Sequence, residues 1–251
     1  MALHDDTGIG GPGGGQFPTT HASAILAARS EDRAVAARSF GALVQAYWKP
    51  IYKYVRIRWR KGNEEAKDLT QAFFTGAMER GLFQRFDPAK ARFRTYLRTC
   101  LDGFLGHEAE AASRQKRGGG VELVPLDFEA AEAELAGEGS AAEALSPDRY
   151  FEQEWARALF QLAVEALRAR LEADGKAVHY ALFEAYDLCE GERPPTYGVL
   201  AERHGLPVTT VTNHLALARR ELRALVLEKL RELTASEEEY QGEARLLLGA
   251  R

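Results

Sequence analysis

The chain has 251 residues and a formal net charge of −4, and its side chains are 45% hydrophobic and 28% charged. This length and balance are typical of a globular protein with room for two modest domains. No apolar run is long enough to span a bilayer, and the first ten residues lack the basic start and apolar centre of a secretion signal. We therefore expect a cytoplasmic protein with no membrane partner.

The residue types that carry most catalysis and metal binding are scattered. Cys100 and Cys189 are far apart and lack metal-ligand spacing, so two reduced thiols are the simplest interpretation. The chain has no glycine-rich phosphate loop, and none of its nucleophiles has a plausible base nearby. We therefore predict no catalytic residue, no metal site, no cofactor and no enzymatic activity.

Negative charge is concentrated in one segment. Residues 122–154 contain ten acidic residues and one basic residue, Arg149, which gives −9; because the whole chain carries −4, the remainder carries +5. This distribution is compatible with nucleic-acid binding by the parts on either side of the segment. We hypothesise that residues 122–154 cover basic surfaces and weaken DNA binding by the free protein. Unchanged affinity after their deletion, measured over a salt series, would reject that hypothesis.

Apolar residues recur at helical spacing through most of the chain, and no segment has the alternation of a strand. The predicted fold is all-α, with two small helical domains joined by an acidic flexible linker. The predicted divisions are a disordered glycine-rich tail at 1–18, a helical domain at 19–117, the linker at 118–149, a second helical domain at 150–233 and a C-terminal helical extension at 234–251.

Polar residues that precede the apolar stripes predict where helices begin. Ser30 suits the start of a helix that runs to about residue 60, and Pro50 is expected to kink or divide that helix. Asn63 is expected to cap the next helix. Ser236 with Glu239 predicts a capping box at the start of the last helix.

Residues 197–223 predict two helices joined by a tight turn. Gly205 suits the left-handed backbone that ends a helix, and Pro207 prevents that helix from continuing. Thr209 or Thr210 is expected to cap the second helix. Its inward stripe consists of Val211, Leu215, Ala218 and Leu222. This spacing is that of a helix-turn-helix and favours DNA binding over the alternative, an ordinary helical hairpin.

Three further motifs precede this segment, at 68–74 (DLTQAFF), 86–88 (FDP) and 92–97 (RFRTYL). Together with the helix-turn-helix, in this order and spacing, they resemble the extracytoplasmic-function (ECF) group of bacterial RNA polymerase sigma factors, within the sigma-70 family. The resemblance implies a factor that binds core RNA polymerase and directs promoter-specific transcription initiation. It implies that 19–117 is a sigma region 2-like domain for polymerase docking and the −10 element, and that 150–233 is a region 4-like domain for the −35 element.

The resemblance also implies three sets of binding residues. For polymerase docking they are Glu65, Asp68, Leu69, Gln71 and Ala72. For the −35 element they are Thr209, Thr210, Thr212, Asn213, His214, Ala216, Arg219 and Arg220. For the −10 element they are Arg92, Arg94, Tyr96, Arg98, Arg114, Lys116 and Arg117. In the −35 set, asparagine can form hydrogen bonds with adenine, and arginine can bind phosphate. In the −10 set, an aromatic ring can stack on the bases of a separated strand, and positive charge can bind its phosphates.

Two departures from the family pattern leave a second function open. Ala72 stands where the family usually has Glu, and residues 102–113 carry Asp102, Glu108 and Glu110 where relatives tend to be basic. Such carboxylates oppose the binding of a separated strand by repelling its phosphates. The alternative is therefore a stand-alone helix-turn-helix regulator derived from the sigma fold, without initiating activity. A helical module that binds only protein is a third interpretation.

Three kinds of regulation are compatible with the sequence. Thr70 lies on the predicted docking helix, where phosphorylation by a Ser/Thr kinase would add negative charge. An anti-sigma factor is a second candidate partner. In the third arrangement, the C-terminal helix packs on the helix-turn-helix and restrains it.

Overall fold

The computed structural model describes residues 23–111, 126–138, 145–189 and 193–249, so the predicted tail at 1–18 lies outside the described residues. Within these ranges the chain forms ten α-helices, one short 3-10 helix and no strand, which confirms the all-α prediction. None of these helices is both long and apolar enough to cross a bilayer. In chain order they are α1 (Ala24–Ala27), α2 (Arg33–Arg58), α3 (Asn63–Glu79), the 3-10 helix (Phe83–Arg85), α4 (Phe93–Ala111), α5 (Phe128–Glu138), α6 (Pro147–Ala173), α7 (Ala177–Asp187), α8 (Tyr197–His204), α9 (Val208–Glu232) and α10 (Glu237–Leu248).

The long helix α2 begins two residues later than predicted. Its cap is Asp32, whose carboxylate accepts the backbone N–H groups of Ala34 and Val35 at 2.8 and 3.2 Å, so the prediction that Ser30 caps it was wrong. Pro50 lies inside one continuous helix and does not divide it. The buried residues around Pro50 explain this, because tertiary packing stabilises a helix more than local propensity does.

The start of α3 also differs by one residue from the prediction. Gly62 occupies the cap position, and Asn63 is the first helical residue. The Asn63 side chain has another role, since its amide oxygen accepts a hydrogen bond from the hydroxyl of Tyr52 at 2.7 Å. The side chain thus ties α3 to α2 instead of capping its own helix.

The core is continuous between the two halves of the chain. Helix α2, from the predicted first domain, packs most extensively against α6, from the predicted second domain. At this contact the rings of Tyr54 and Phe151 meet edge to face, with centroids 5.6 Å apart. Helix α6 also packs on α7 and α9, so it lies between the first half of the chain and the helices that follow.

Part of the predicted linker is a packed helix. In α5, Phe128 lies edge to face with Trp48 and with Tyr52, each at a centroid distance of 5.2 Å, and Ala131 is fully buried. A flexible linker therefore does not describe residues 128–138. One aromatic ring and several carboxylates facing a basic, aromatic part of α2 are sufficient to hold this acidic stretch.

The turn between α8 and α9 follows the predicted backbone. Gly205 has φ of 64°, and the N–H of Leu206 donates to the carbonyl of Ala201 at 2.9 Å, which closes the end of α8. Helix α9 begins at Val208 after Pro207 and has no side-chain cap. The prediction that Thr209 or Thr210 caps α9 was wrong, because both threonines lie inside its first turn.

Candidate nucleic-acid interface

One face of α9 is buried and the other is open. Val211, Leu215 and Ala218 are completely buried, as their spacing predicted, and they fix the rotation of the helix against α7 and α8. The exposed residues of its first half are Val208, Thr209, Thr212, Asn213, Ala216, Arg219 and Arg220, and Thr210 is half-buried beside them.

The open face combines a free amide with small side chains. Asn213 has no hydrogen-bond partner among the described residues, whereas the hydroxyl of Thr212 donates to the carbonyl of Val208 at 3.1 Å. A free asparagine amide can both donate to and accept from a base edge, and a neighbouring Ala216 leaves room for that approach. The face can therefore offer hydrogen bonds to a base edge.

The two arginines proposed for phosphate contact differ in their freedom. Arg219 binds the carboxylate of Asp187 on α7, with nitrogen–oxygen distances from 2.9 to 3.1 Å, and its guanidinium lies 5.4 Å from the ring centre of Tyr186. Asp187 raises the pKa of Arg219. The Arg220 side chain is 74% exposed. Its ion-pair contact with Glu221 is long, at 4.0 Å. Arg219 thus ties α9 to α7, and Arg220 is the freer of the two for a phosphate.

His214 is part of the contact between α9 and α7. Its ring lies 3.7 Å from that of His179, with 30° between the two planes. Burial lowers the pKa of His179, and the nearby His214 and Lys176 lower it further. Both rings are therefore best accommodated when His179 is neutral.

Among the described residues predicted to contact the −10 element, the arginines are paired with carboxylates. Arg94 is 7% exposed; its guanidinium lies 2.6 Å from Glu243 of α10, 3.5 Å from Glu152 of α6 and 4.8 Å from the ring centre of Trp155. Arg92, just before α4, lies 2.7 Å from the same carboxylate of Glu243. The prediction that these arginines are open to a partner is corrected for Arg94, which is buried, whereas the Arg92 side chain stays 46% exposed beside its carboxylate partner.

The other described members of this set are also engaged. Arg98 lies 3.0 Å from Asp102 and 3.1 Å from Asp148. The hydroxyl of Tyr96 donates to the carbonyl of Leu82 at 2.9 Å, and burial is the main cause that raises its pKa to about 12. The remaining predicted members, Arg114, Lys116 and Arg117, lie outside the described residues.

Helix α3 exposes most of the predicted docking face. Four of its members, Glu65, Asp68, Gln71 and Ala72, are exposed, and Leu69 is half-buried. Glu65 lies 2.7 Å from Lys61, so it is the one described member with an ion-pair partner.

Thr70 does not belong to the exposed face of α3. It is completely buried, and its hydroxyl donates to the carbonyl of Ala66 at 2.7 Å. Phosphorylation of Thr70 therefore does not fit this structure, because a kinase could reach the hydroxyl only after α3 left the core. Its spacing of four residues from the buried Ala66 was a signal that it points inward.

A second charged contact lies between α2 and the acidic segment. Lys49 and Lys53 lie 2.8 and 3.0 Å from Glu134 of α5, and Arg56 pairs with Glu132. The hydrogen bond from Arg56 is the main cause that holds the pKa of Glu132 below its ordinary value. These contacts place carboxylates of 122–154 on basic side chains of α2. The weaker DNA binding that the hypothesis attributes to the segment stays a prediction.

The sequence alone did not point to Glu239 and Glu243 as partners of α4. Their spacing of four residues places both on one face of α10, which is the signal that could have found them.

Among the described residues there is no group of three or more His, Cys, Asp or Glu side chains that could hold a metal ion. Comparison of the chain with protein-family models, curated proteins and solved structures finds no match.

Proposed function

We propose that this protein is a sigma-type transcription initiation factor that binds core RNA polymerase and promoter DNA. In this proposal α8 and α9 form the helix-turn-helix of a region 4-like domain, and the first half of α9 enters the major groove at the −35 element. The exposed face of α3 docks on polymerase, within a region 2-like domain.

The observation that carries the proposal is the open face of α9 next to a rigid buried stripe. Val211 and Leu215 fix which side of the helix is presented, so Asn213 and Ala216 are held at a defined orientation. Defined orientation is what base-specific hydrogen bonds require. The φ of 64° at Gly205 supports the proposal because it sets the corner between the two helices.

The exposed face of α3 supports the docking part of the proposal. Asp68 and Gln71 are exposed on one helix and have no described ion-pair or hydrogen-bond partner. A carboxylate and an amide in this state can pair with basic and polar groups of another protein without first breaking an internal contact.

One observation favours a second candidate, a stand-alone DNA-binding regulator of the same fold without initiating activity. Three of the described residues expected to hold a separated strand, Arg92, Arg94 and Arg98, already pair with carboxylates of the same chain. This candidate predicts binding to duplex DNA through α9 but no binding to core polymerase.

Co-purification with core RNA polymerase separates the two candidates. We expect the parent protein to co-purify and the Asp68→Asn/Gln71→Ala variant to lose most of that binding. Glu79→Gln is the matched control, because Glu79 is an exposed carboxylate at the other end of α3. Absence of co-purification for the parent, with duplex binding retained, would reject initiation in favour of the stand-alone regulator.

Duplex binding tests the role of α9 separately. We expect Asn213→Ala to cost about 1–3 kcal/mol of binding free energy for a −35-containing duplex. Gln153→Ala is the control, since Gln153 is an exposed amide on a different helix, α6. Equal affinities for the two variants would show that the open face of α9 does not contact bases.

A further inference from the structure

Two carboxylates of helix α10 contact the beginning of α4. Glu243 is 2% exposed and lies 2.6 Å from Arg94 and 2.7 Å from Arg92. Glu239 accepts a hydrogen bond at 3.2 Å from the backbone N–H of Phe93, the first residue of α4. One carboxylate thus binds two guanidinium groups, and the other binds the free N–H at the start of a helix.

This arrangement is the one that proteins use to hold phosphate. Arginine side chains and the N–H groups at a helix start are both preferred partners of phosphate oxygens. Two carboxylates of α6 also pair with arginines of α4: Glu152 lies 3.5 Å from Arg94, and Asp148 lies 3.1 Å from Arg98. Four acidic side chains from two helices therefore occupy groups that would otherwise bind an anionic strand.

A requirement of folding alone does not explain the buried charges. Replacing a buried ion pair by apolar side chains is often neutral or stabilising, since the desolvation of both charges offsets their attraction. Carboxylates that pair with arginines can, however, be replaced by another anion. Once the carboxylates leave, the arginines remain charged and can bind that anion.

We propose that α10 is an autoinhibitory latch in which Glu239 and Glu243 stand in for DNA phosphates on α4. A single strand of DNA and these carboxylates compete for Arg92, Arg94 and the start of α4. The inference rests on the proposed function, since it takes a DNA strand as the partner of α4.

The position of α10 in the chain links the latch to the other DNA surface. Only residues 233–236 separate α10 from α9, and the Arg231 side chain at the end of α9 lies 2.8 Å from Glu237 and 4.0 Å from the ring centre of Tyr240. A change at α9 that disturbs these contacts also disturbs α10.

The test compares two full-length variants of equal net charge. Glu239→Gln/Glu243→Gln removes the two carboxylates that contact α4. Glu129→Gln/Glu238→Gln removes two exposed carboxylates, on α5 and α10, that have no described contact with α4. The probe is a fluorescein-labelled single-stranded oligonucleotide, and its affinity is measured by anisotropy over a salt series.

We expect the first variant to bind the oligonucleotide about tenfold more tightly than the second at low salt. The slope of log Kd against log salt should steepen by about 0.7 for each arginine that becomes available, or about 1.4 for Arg92 and Arg94 together. Coincident affinities and slopes for the two variants, with co-purification by core polymerase intact, would overturn the latch and leave the proposed function standing. Failure of the parent protein to bind polymerase or any DNA would overturn the proposed function itself.

A second measurement needs no substitution and so does not depend on the folding of a variant. Hydrogen exchange of the α10 amides is followed in the parent protein with and without saturating oligonucleotide. Displacement of α10 predicts faster exchange at residues 240–248 in the bound protein. Equal exchange in both states at saturation would overturn the latch.

Discussion

The Nζ atom of Lys53 on α2 lies 2.8 Å from a carboxylate oxygen of Glu154 on α6, and each of the two side chains is 1% exposed. This buried ion pair joins the helix predicted for the first domain to the helix that opens the predicted second domain. Glu154 also pairs with Arg157, and Lys53 with Glu134, so neither charge depends on a single partner.

We predict that Lys53→Met destabilises the protein by about 2 kcal/mol, because Glu154 remains buried with one partner fewer. The double variant Lys53→Met/Glu154→Leu should recover most of the loss, since it removes both buried charges. Urea unfolding, monitored by circular dichroism, measures the free energy of unfolding of both variants. A double variant no more stable than Lys53→Met would contradict this prediction.

Acid should release α5 before the rest of the protein unfolds. The hydrogen bond from Arg56 lowers the pKa of Glu132 below its ordinary value of 4.5. The stability from this group is therefore present above pH 4.5 and is lost as the pH falls through the lowered pKa. Trp48 fluorescence reports the event, because Phe128 of α5 packs on its ring. Glu132→Gln should remove this acid step, and Glu129→Gln, at an exposed position of α5, should retain it.

The stacked histidines predict a second pH dependence near neutrality. Burial and the neighbouring His214 lower the pKa of His179 from 6.5, so the unfolded chain takes up the proton first as the pH falls. Stability from this site is present above pH 6.5 and is lost as the pH falls through the lowered pKa. Thermal unfolding at about pH 7.5 and about pH 5.5 measures the loss. We expect His179→Gln to reduce it, and His204→Gln, on α8, to leave it unchanged.

Two glycines with open space around them should respond in opposite ways to alanine. Gly205 has φ of 64°, and a Cβ there meets nothing within 4 Å, so the cost of Gly205→Ala is purely conformational, about 1 kcal/mol. Gly103 lies inside α4, also with nothing within 4 Å, and Gly103→Ala should stabilise by about 0.5–1 kcal/mol. Thermal unfolding compares them. Equal shifts for the two would contradict the left-handed turn at Gly205.

What the sequence predicted well depends on spacing within one element. The inward stripe of α9 follows from helical periodicity alone, so Val211, Leu215 and Ala218 were identified before their neighbours were known. Gly205 and Pro207 fixed the turn for the same reason, because their backbone preferences are local.

What the sequence missed depends on partners that are distant in the chain. The arginines of α4 have the pattern of an exposed basic face, and only the packing of α6 and α10 shows that Arg94 is buried between Glu243 and Trp155. The packing of α5 was missed because its composition is that of a linker, and a single ring, Phe128, anchors it. Local composition cannot reveal such long-range charge pairing.

In-vitro transcription tests the proposal that this protein directs core RNA polymerase to promoters. Core polymerase is incubated with a library of promoter fragments, with and without the protein, and transcripts are sequenced from their 5′ ends. We predict transcripts that start at defined positions, require the protein and are lost with Asn213→Ala but not with Gln153→Ala. Identical transcripts with and without a protein that still binds duplex DNA would contradict the claim.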